Sequence, residues 1–149
     1  MPDTYTSIFL HVVFSTKGRR PLIAPELRPH LEAYIAGIVS ERGGRLIVAG
    51  GVEDHMHLLV RWNTEPLKDL LRHIKAGSSR HINSERREFA PFYWQRGGGV
   101  FSVSKSETDR VAAYIRNQEE HHRTMSFREE YLRFLDLHGI DYDQRYIWD

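Results

Sequence analysis

The sequence predicts an α+β fold built on one antiparallel sheet. Three observations carry that reading: a β-branched and aromatic run near the start, two adjoining runs of the same kind in the middle, and helical stripes between and after them. Ser7 to Ser15 (SIFLHVVFS) is the first strand, ended by the turn Lys17-Gly18-Arg19-Arg20-Pro21. Leu27, Leu31, Tyr34, Ile35 and Ile38 recur at helical spacing up to Gly43-Gly44. Arg45 to Val52 and His55 to Trp62 are strand-like runs joined around Glu53-Asp54, the pattern of a hairpin. In the next helix Leu67, Leu70, Leu71 and Ile74 form an apolar stripe while Lys68, Arg72 and Lys75 line another face. Gly97-Gly98-Gly99 breaks the chain before a short strand, Val100 to Val103. A third helix is predicted from Ser106, whose spacing to Asp109 suits a capping box, to about His122. Residues 126–138 also read as helix, followed by a tail with Tyr142, Tyr146 and Trp148. The order β-α-β-β-α-β, with an additional C-terminal tyrosine-bearing helix, is ferredoxin-like, with helices expected largely on one face of the sheet. Residues 1–149 are expected to form a single domain.

Composition narrows the chemistry. The chain has no cysteine, which excludes disulfides, thiolate zinc sites and cysteine nucleophiles, so any metal must be held by nitrogen and oxygen. The net charge of +1 conceals an asymmetry: residues 1–100 carry 14 Lys+Arg against 10 Asp+Glu, residues 101–149 carry 7 against 10. An anionic partner and an ordinary solvated surface both account for these counts. The run Ile8 to Phe14 is short and interrupted by His11, so no signal peptide is expected, and no apolar segment approaches the ~20 residues of a membrane span. A cytoplasmic, nucleoid-associated location is expected.

Two constellations could carry chemistry. In EDHMHLLV, residues 53–60, strand alternation puts His55 and His57 on one face and Met56, Leu58 and Val60 on the other. The two imidazoles are then about 6.6 Å apart at Cα, from a rise of ~3.3 Å per residue, and can converge on one ion. A structural pair of histidines fits the same spacing. In the third helix Tyr114 and Gln118 are i, i+4 neighbours beside the apolar seam of Val111 and Ile115. Docked against the histidine face, they would bring a hydroxyl and a carbonyl oxygen to the same ion.

The segments GGVEDHMHLLV, residues 50–60, and YIRNQEEHH, residues 114–122, resemble the two signature segments of the single-tyrosine HUH transposases, the insertion-sequence-200-like family. HVVFSTKGRRP, LLRHIKAGSSRHIN, FYWQRGGGVFSVS and HGIDYDQRYIW are similar to further family segments, so the resemblance spans nearly the whole chain. One departure is Gly98, where relatives often carry an aromatic residue. The resemblance implies the HUH endonuclease fold, Tyr114 as nucleophile, His55, His57 and Gln118 as metal ligands, and Mg²⁺ or Mn²⁺ as the ion. It also implies single-stranded or hairpin DNA as substrate, and a homodimer whose sites combine the histidines of one chain with the tyrosine of the other. Cleavage and rejoining would pass through a 5′-phosphotyrosine.

These residues suit that reaction. A free phenol has a pKa near 10, so only on the order of 0.1% is ionised at neutral pH, and a nearby cation or base must help. Two imidazoles and an amide add no negative charge, which leaves an ion free to polarise a phosphate. Asp54 is a candidate to orient an imidazole, its alternative being a turn residue. Lys17, Arg19, Arg20, Lys68, Arg72, Lys75 and Arg80 are candidate phosphate contacts, and Phe92, Tyr93 and Trp94 candidate stacking platforms or core. His121 and His122 read as solvated or capping residues. Three alternatives remain: a non-catalytic ferredoxin-like nucleic-acid-binding module, a domesticated repeat-associated tyrosine transposase or nickase, and a metal-dependent hydrolase in which Tyr114 is dispensable.

Overall fold

The computed structural model describes residues 4–63, 65–86 and 91–148. Four strands, β1 (Ile8–Ser15), β2 (Arg45–Val52), β3 (His55–Trp62) and β4 (Gly99–Val103), form one sheet in the order β2-β3-β1-β4. Every neighbouring pair is antiparallel. This is the ferredoxin-like order: β2 and β3 are a hairpin, and each of the other connections is long enough to hold a helix. The helices are α1 (Arg28–Glu41), α2 (Leu67–Glu85), α3 (Thr108–Arg116), α4 (Gln118–His121) and α5 (Phe127–Leu137). Among the described residues no helix is long and apolar enough to cross a membrane.

Alternation along the two central strands divides the molecule into layers. Leu10, Val12 and Phe14 of β1 and Met56, Leu58, Val60 and Trp62 of β3 pack with Leu31, Ile35 and Val39 of α1 and Leu70, Ile74 and Ile82 of α2. The opposite side chains meet the C-terminal helices. Leu59 packs with Ala112 and Ile115 of α3, while Val13 and Phe101 pack with Phe127, Tyr131 and Leu135 of α5. Both faces are therefore covered, rather than largely one as the sequence suggests. The reason is that α5 has its own apolar stripe at i, i+4 and i+8, which needs a sheet face to bury it.

Two glycines allow close approaches. A Cβ at Gly50 would lie 2.2 Å from the Ile115 carbonyl oxygen, so α3 rests directly on the backbone of β2. Gly98 adopts φ +150°, and a Cβ there would come within 2.9 Å of the Val13 carbonyl oxygen. Glycine at this position lets the chain enter β4 against β1, where a side chain would press on the Val13 carbonyl and the Leu71 side chain.

Candidate active site

The site lies where α3, α4 and α5 meet the centre of the sheet. In the β1–β3 register His57 pairs with Val13, His55 with Ser15 and Leu59 with His11. Alternation thus places His11, His55 and His57 on the face turned toward α3–α5, and all three are buried. The predicted helix from Ser106 to His122 is built differently. A 3-10 turn (Lys105–Glu107) precedes α3, the chain breaks helical geometry at Asn117 (φ −99°, ψ 24°), and α4 resumes with Gln118. The Ser106 cap does not form: its Oγ faces Ser104 Oγ at 3.1 Å, because residues 105–107 are already used by the tighter turn. Despite the break, Tyr114, Gln118 and His122 stay in one row, at i, i+4 and i+8.

Six side chains converge. The Nε2 atoms of His57 and His122 lie 2.8 and 3.2 Å from Glu130 Oε1, and His55 Nε2 lies 3.4 Å from it. Gln118 Oε1 accepts from His55 Nε2 at 3.1 Å and from His122 Nε2 at 3.0 Å. The other carboxylate oxygen, Glu130 Oε2, accepts from the Tyr114 hydroxyl and, at 3.4 Å, from Gln118 Nε2. Around this centre, His55 Nδ1 donates to Asp54 Oδ1 at 2.7 Å, and His11 Nε2 donates to His57 Nδ1 at 2.8 Å. A His11 N–H toward His57 leaves the His57 Nε2–H to point at Glu130.

The protons follow from these neighbours. Burial alone would push His55 down, but hydrogen bonds to Asp54 and Glu130 outweigh it and hold the imidazole up at about 9. Burial lowers His57 to about 4 against the opposing pull of Glu130, and burial with the adjacent His57 lowers His11 to about 3. Burial would raise Glu130, yet the hydrogen bonds from His122, His55 and His57 keep it well below the usual carboxylate range. Tyr114 is raised above an ordinary phenol, first by burial and then by its hydrogen bond to the Glu130 carboxylate. In the metal-free chain the nucleophile candidate is thus held protonated.

The donor set also suits a cation. One atom each from His55, His57, His122 and Glu130 lies within 4.8 Å of all the others. All are nitrogen or oxygen, and Gln118 Oε1 faces the same space. Of the residues that stand out in the sequence, Tyr114, His55, His57, Gln118 and Asp54 come together here. His122, which reads as solvated or capping, instead joins the cluster, because it continues the Tyr114–Gln118 row at i+8 and meets Glu130 of α5. Glu130 and His11 do not stand out in the sequence. Glu130 has a readable signal nonetheless, since it occupies the buried stripe Phe127, Glu130, Tyr131, Leu135 of α5 where an apolar residue belongs.

The candidate DNA contacts lie outside this cluster, those of α2 on the opposite face and Arg19 beside Trp148 of the α5 side. A groove of about 740 Å³ runs between α2 and the 93–98 loop, lined by Lys68, Arg72, Lys75, Tyr93 and Arg96 among others. Lys68, Arg72 and Arg80 are on α2, with Arg72 3.2 Å from Asp69. Lys75 Nζ donates to the carbonyl oxygens of Gln95, at 2.7 Å, and of Gly97. Burial lowers Lys75 to about 8. Lys17 lies 5.7 Å above the Tyr93 ring, Arg20 is exposed, and Arg19 stacks on Trp148 at 5.2 Å. Of the three aromatics, Phe92 is buried and Trp94 packs on Phe14, whereas Tyr93 is 53% exposed and available for stacking.

A ferredoxin-like sheet presenting a His-x-His pair to a tyrosine on a following helix defines the HUH class of DNA-processing proteins. The family described as Transposase IS200 like matches residues 4–118, and the chain belongs to that family. Among solved structures, a protein of Deinococcus radiodurans R1 described as a candidate transposase is 21% identical, with a TM-score of 0.62 over 79% of this chain and 95% of that one. A REP-associated tyrosine transposase bound to a REP hairpin is 13% identical, with a TM-score of 0.57 over 77% of this chain and 68% of that one. Both share the fold. No curated protein matches the sequence significantly.

Proposed function

We propose that the protein is a transposase that cuts and rejoins single-stranded DNA at hairpin-marked ends through a covalent bond to Tyr114. The observation that carries this reading is the Tyr114 hydroxyl lying at the His55–His57–His122–Glu130 cluster. Tyr114 Oη attacks the scissile phosphorus. The Oη–P bond forms as the P–O3′ bond breaks, so in net balance the phenolic proton ends on the leaving 3′-oxygen. Rejoining reverses the step with a different 3′-hydroxyl, so the phosphodiester energy is conserved and no ATP is required. The residues fit a divalent cation, Mg²⁺ or Mn²⁺ in this reading, held by His55, His57 and Gln118. When bound, it would supply positive charge to the phosphate and the leaving oxygen. Asp54 fixes the His55 ring through Nδ1.

DNA would lie along the α2 groove, with Lys17, Arg19, Arg20, Lys68, Arg72, Lys75 and Arg80 near phosphates and Tyr93 under an unstacked base. Because excision takes two cuts and each chain has one Tyr114, two copies act together as a homodimer. Within one chain Tyr114 already meets its own histidines, so mixing His57→Ala with Tyr114→Phe chains distinguishes shared from self-contained sites. Restored cleavage means exchange of the tyrosine helix between copies.

The primary test is incubation with a hairpin-bearing single-stranded oligonucleotide and Mg²⁺ or Mn²⁺. A covalent protein–DNA adduct is expected on a denaturing gel and is lost in Tyr114→Phe. Cleavage that persists in Tyr114→Phe would sink the proposal in favour of hydrolysis by water.

A further inference from the structure

We infer that Glu130, on the helix beyond the family-matched segment, completes the cation centre and couples it to the nucleophile. In this arrangement Oε1 ligates the cation beside His55, His57 and His122, and Oε2 holds the Tyr114 hydroxyl. The inference rests on the cation reading above and adds two ligands, Glu130 and His122, to the histidine pair and Gln118.

Three observations carry it. First, Glu130 is 1% exposed and sits on the apolar stripe of α5 between Phe127 and Tyr131. Burying a carboxylate is costly unless every oxygen is satisfied, and a leucine would pack the same stripe without that cost. Second, the two oxygens divide their partners. Oε1 faces three imidazole Nε2 atoms at 2.8, 3.2 and 3.4 Å, and Oε2 faces the Tyr114 hydroxyl. Third, the imidazoles have their other nitrogens accounted for where it matters. His55 Nδ1 is held by Asp54 and His57 Nδ1 by His11, which fixes both Nε2 atoms inward.

A carboxylate bridging ion and hydroxyl ties two functions to one residue. It would tie the Tyr114 hydroxyl to the group that holds the cation, and it makes α5 part of the centre rather than a cover over it. Three imidazoles with one carboxylate and one amide oxygen form a nitrogen-rich donor set. Such a set favours Mn²⁺, Co²⁺ or Zn²⁺ over Mg²⁺, which prefers oxygen ligands and retained water.

The test is metal binding by the intact protein without DNA, measured by calorimetry with Mn²⁺ and by visible absorption with Co²⁺. Glu130→Gln, close to isosteric, and His122→Ala should each weaken Co²⁺ binding by about 10- to 100-fold and alter the Co²⁺ spectrum. Glu130→Asp should recover part of the affinity. Circular dichroism identifies any variant that fails to fold. If Glu130→Gln and His122→Ala bind Co²⁺ like the native chain while His57→Ala does not, the inference fails and the histidine cation site stands. If His57→Ala also binds unchanged, or the native chain binds no Co²⁺, the cation reading itself fails.

Discussion

His55 and His57 stand two residues apart on one strand face, yet their protons behave oppositely. His55 is held up at about 9, so its proton is retained in the folded metal-free chain long after an unfolded imidazole, near 6.5, has lost it. That contribution to stability is complete below pH 6.5 and is lost as pH rises through about 9. His57 and His11 are held down at about 4 and about 3, so unfolding below pH 6.5 takes up two protons the folded state excludes. Their contribution is present above 6.5 and is lost as pH falls toward those values. The urea midpoint of the metal-free protein should therefore peak near pH 6.5. Stability should decline between pH 6.5 and about 8 by at most about 1.4 kcal/mol per pH unit, for one proton, before the lowered Lys75 begins to offset it, and more steeply on the acid side, for two. A midpoint that climbs steadily from pH 6.5 to pH 8 would contradict the assignment of His55.

At the level of elements, the decisive contact is α3 on β2. The Ile115 carbonyl oxygen rests where a Gly50 side chain would be, and Ile115 is fully buried beside Leu59. Gly50→Ala should force α3 outward and move Tyr114 with it, costing about 1–3 kcal/mol of stability as overpacking does. Covalent adduct formation should drop by at least tenfold, while Co²⁺ binding, which keeps His55 and His57 of β3 and Glu130 of α5, should fall by less. Loss of metal binding with retained adduct formation would show that the contact matters for β3 instead. The same elements explain what is readable in the sequence. Alternation in residues 55–62 is legible because a strand with one face in an apolar core has only one register. The i, i+4 pair Tyr114 and Gln118 is legible as well. His122 is misjudged from sequence because its partner Glu130 comes from a separate helix, whose docking on the same sheet face the local sequence does not announce. His11 is invisible there because its partner lies 46 residues away, and only the β1–β3 register brings the two rings together.

Across the whole molecule the sheet separates two surfaces. One carries the groove of α2 with its cations, the other the buried site, and the 93–98 loop runs past the end of the sheet between them. Gln95 in that loop accepts from Ser15 Oγ at 2.9 Å and donates to the Ile147 carbonyl at 3.3 Å, while Lys75 reaches its backbone from α2. Reversing charge in the groove, as in Lys68→Glu or Arg72→Glu, should weaken hairpin DNA binding. Removing one phosphate-binding cation should reduce the salt-dependence slope by about 1. Co²⁺ affinity should not change, since neither side chain approaches the cluster. Unaltered DNA affinity in both variants would move the binding surface elsewhere.

The register of β3 between β1 and β2 also has a consequence for motion. His57 pairs with Val13 on one side and Gly50 on the other, so its backbone belongs to the inner part of the sheet, where opening demands the largest free energy. Tyr114 and Glu130 ride instead on helices joined by the short 117 and 122–126 segments. Two of the cation's ligands, His55 and His57, are thereby fixed to the inner sheet, while the nucleophile and the remaining ligands Gln118, His122 and Glu130 come from the helices that cover it.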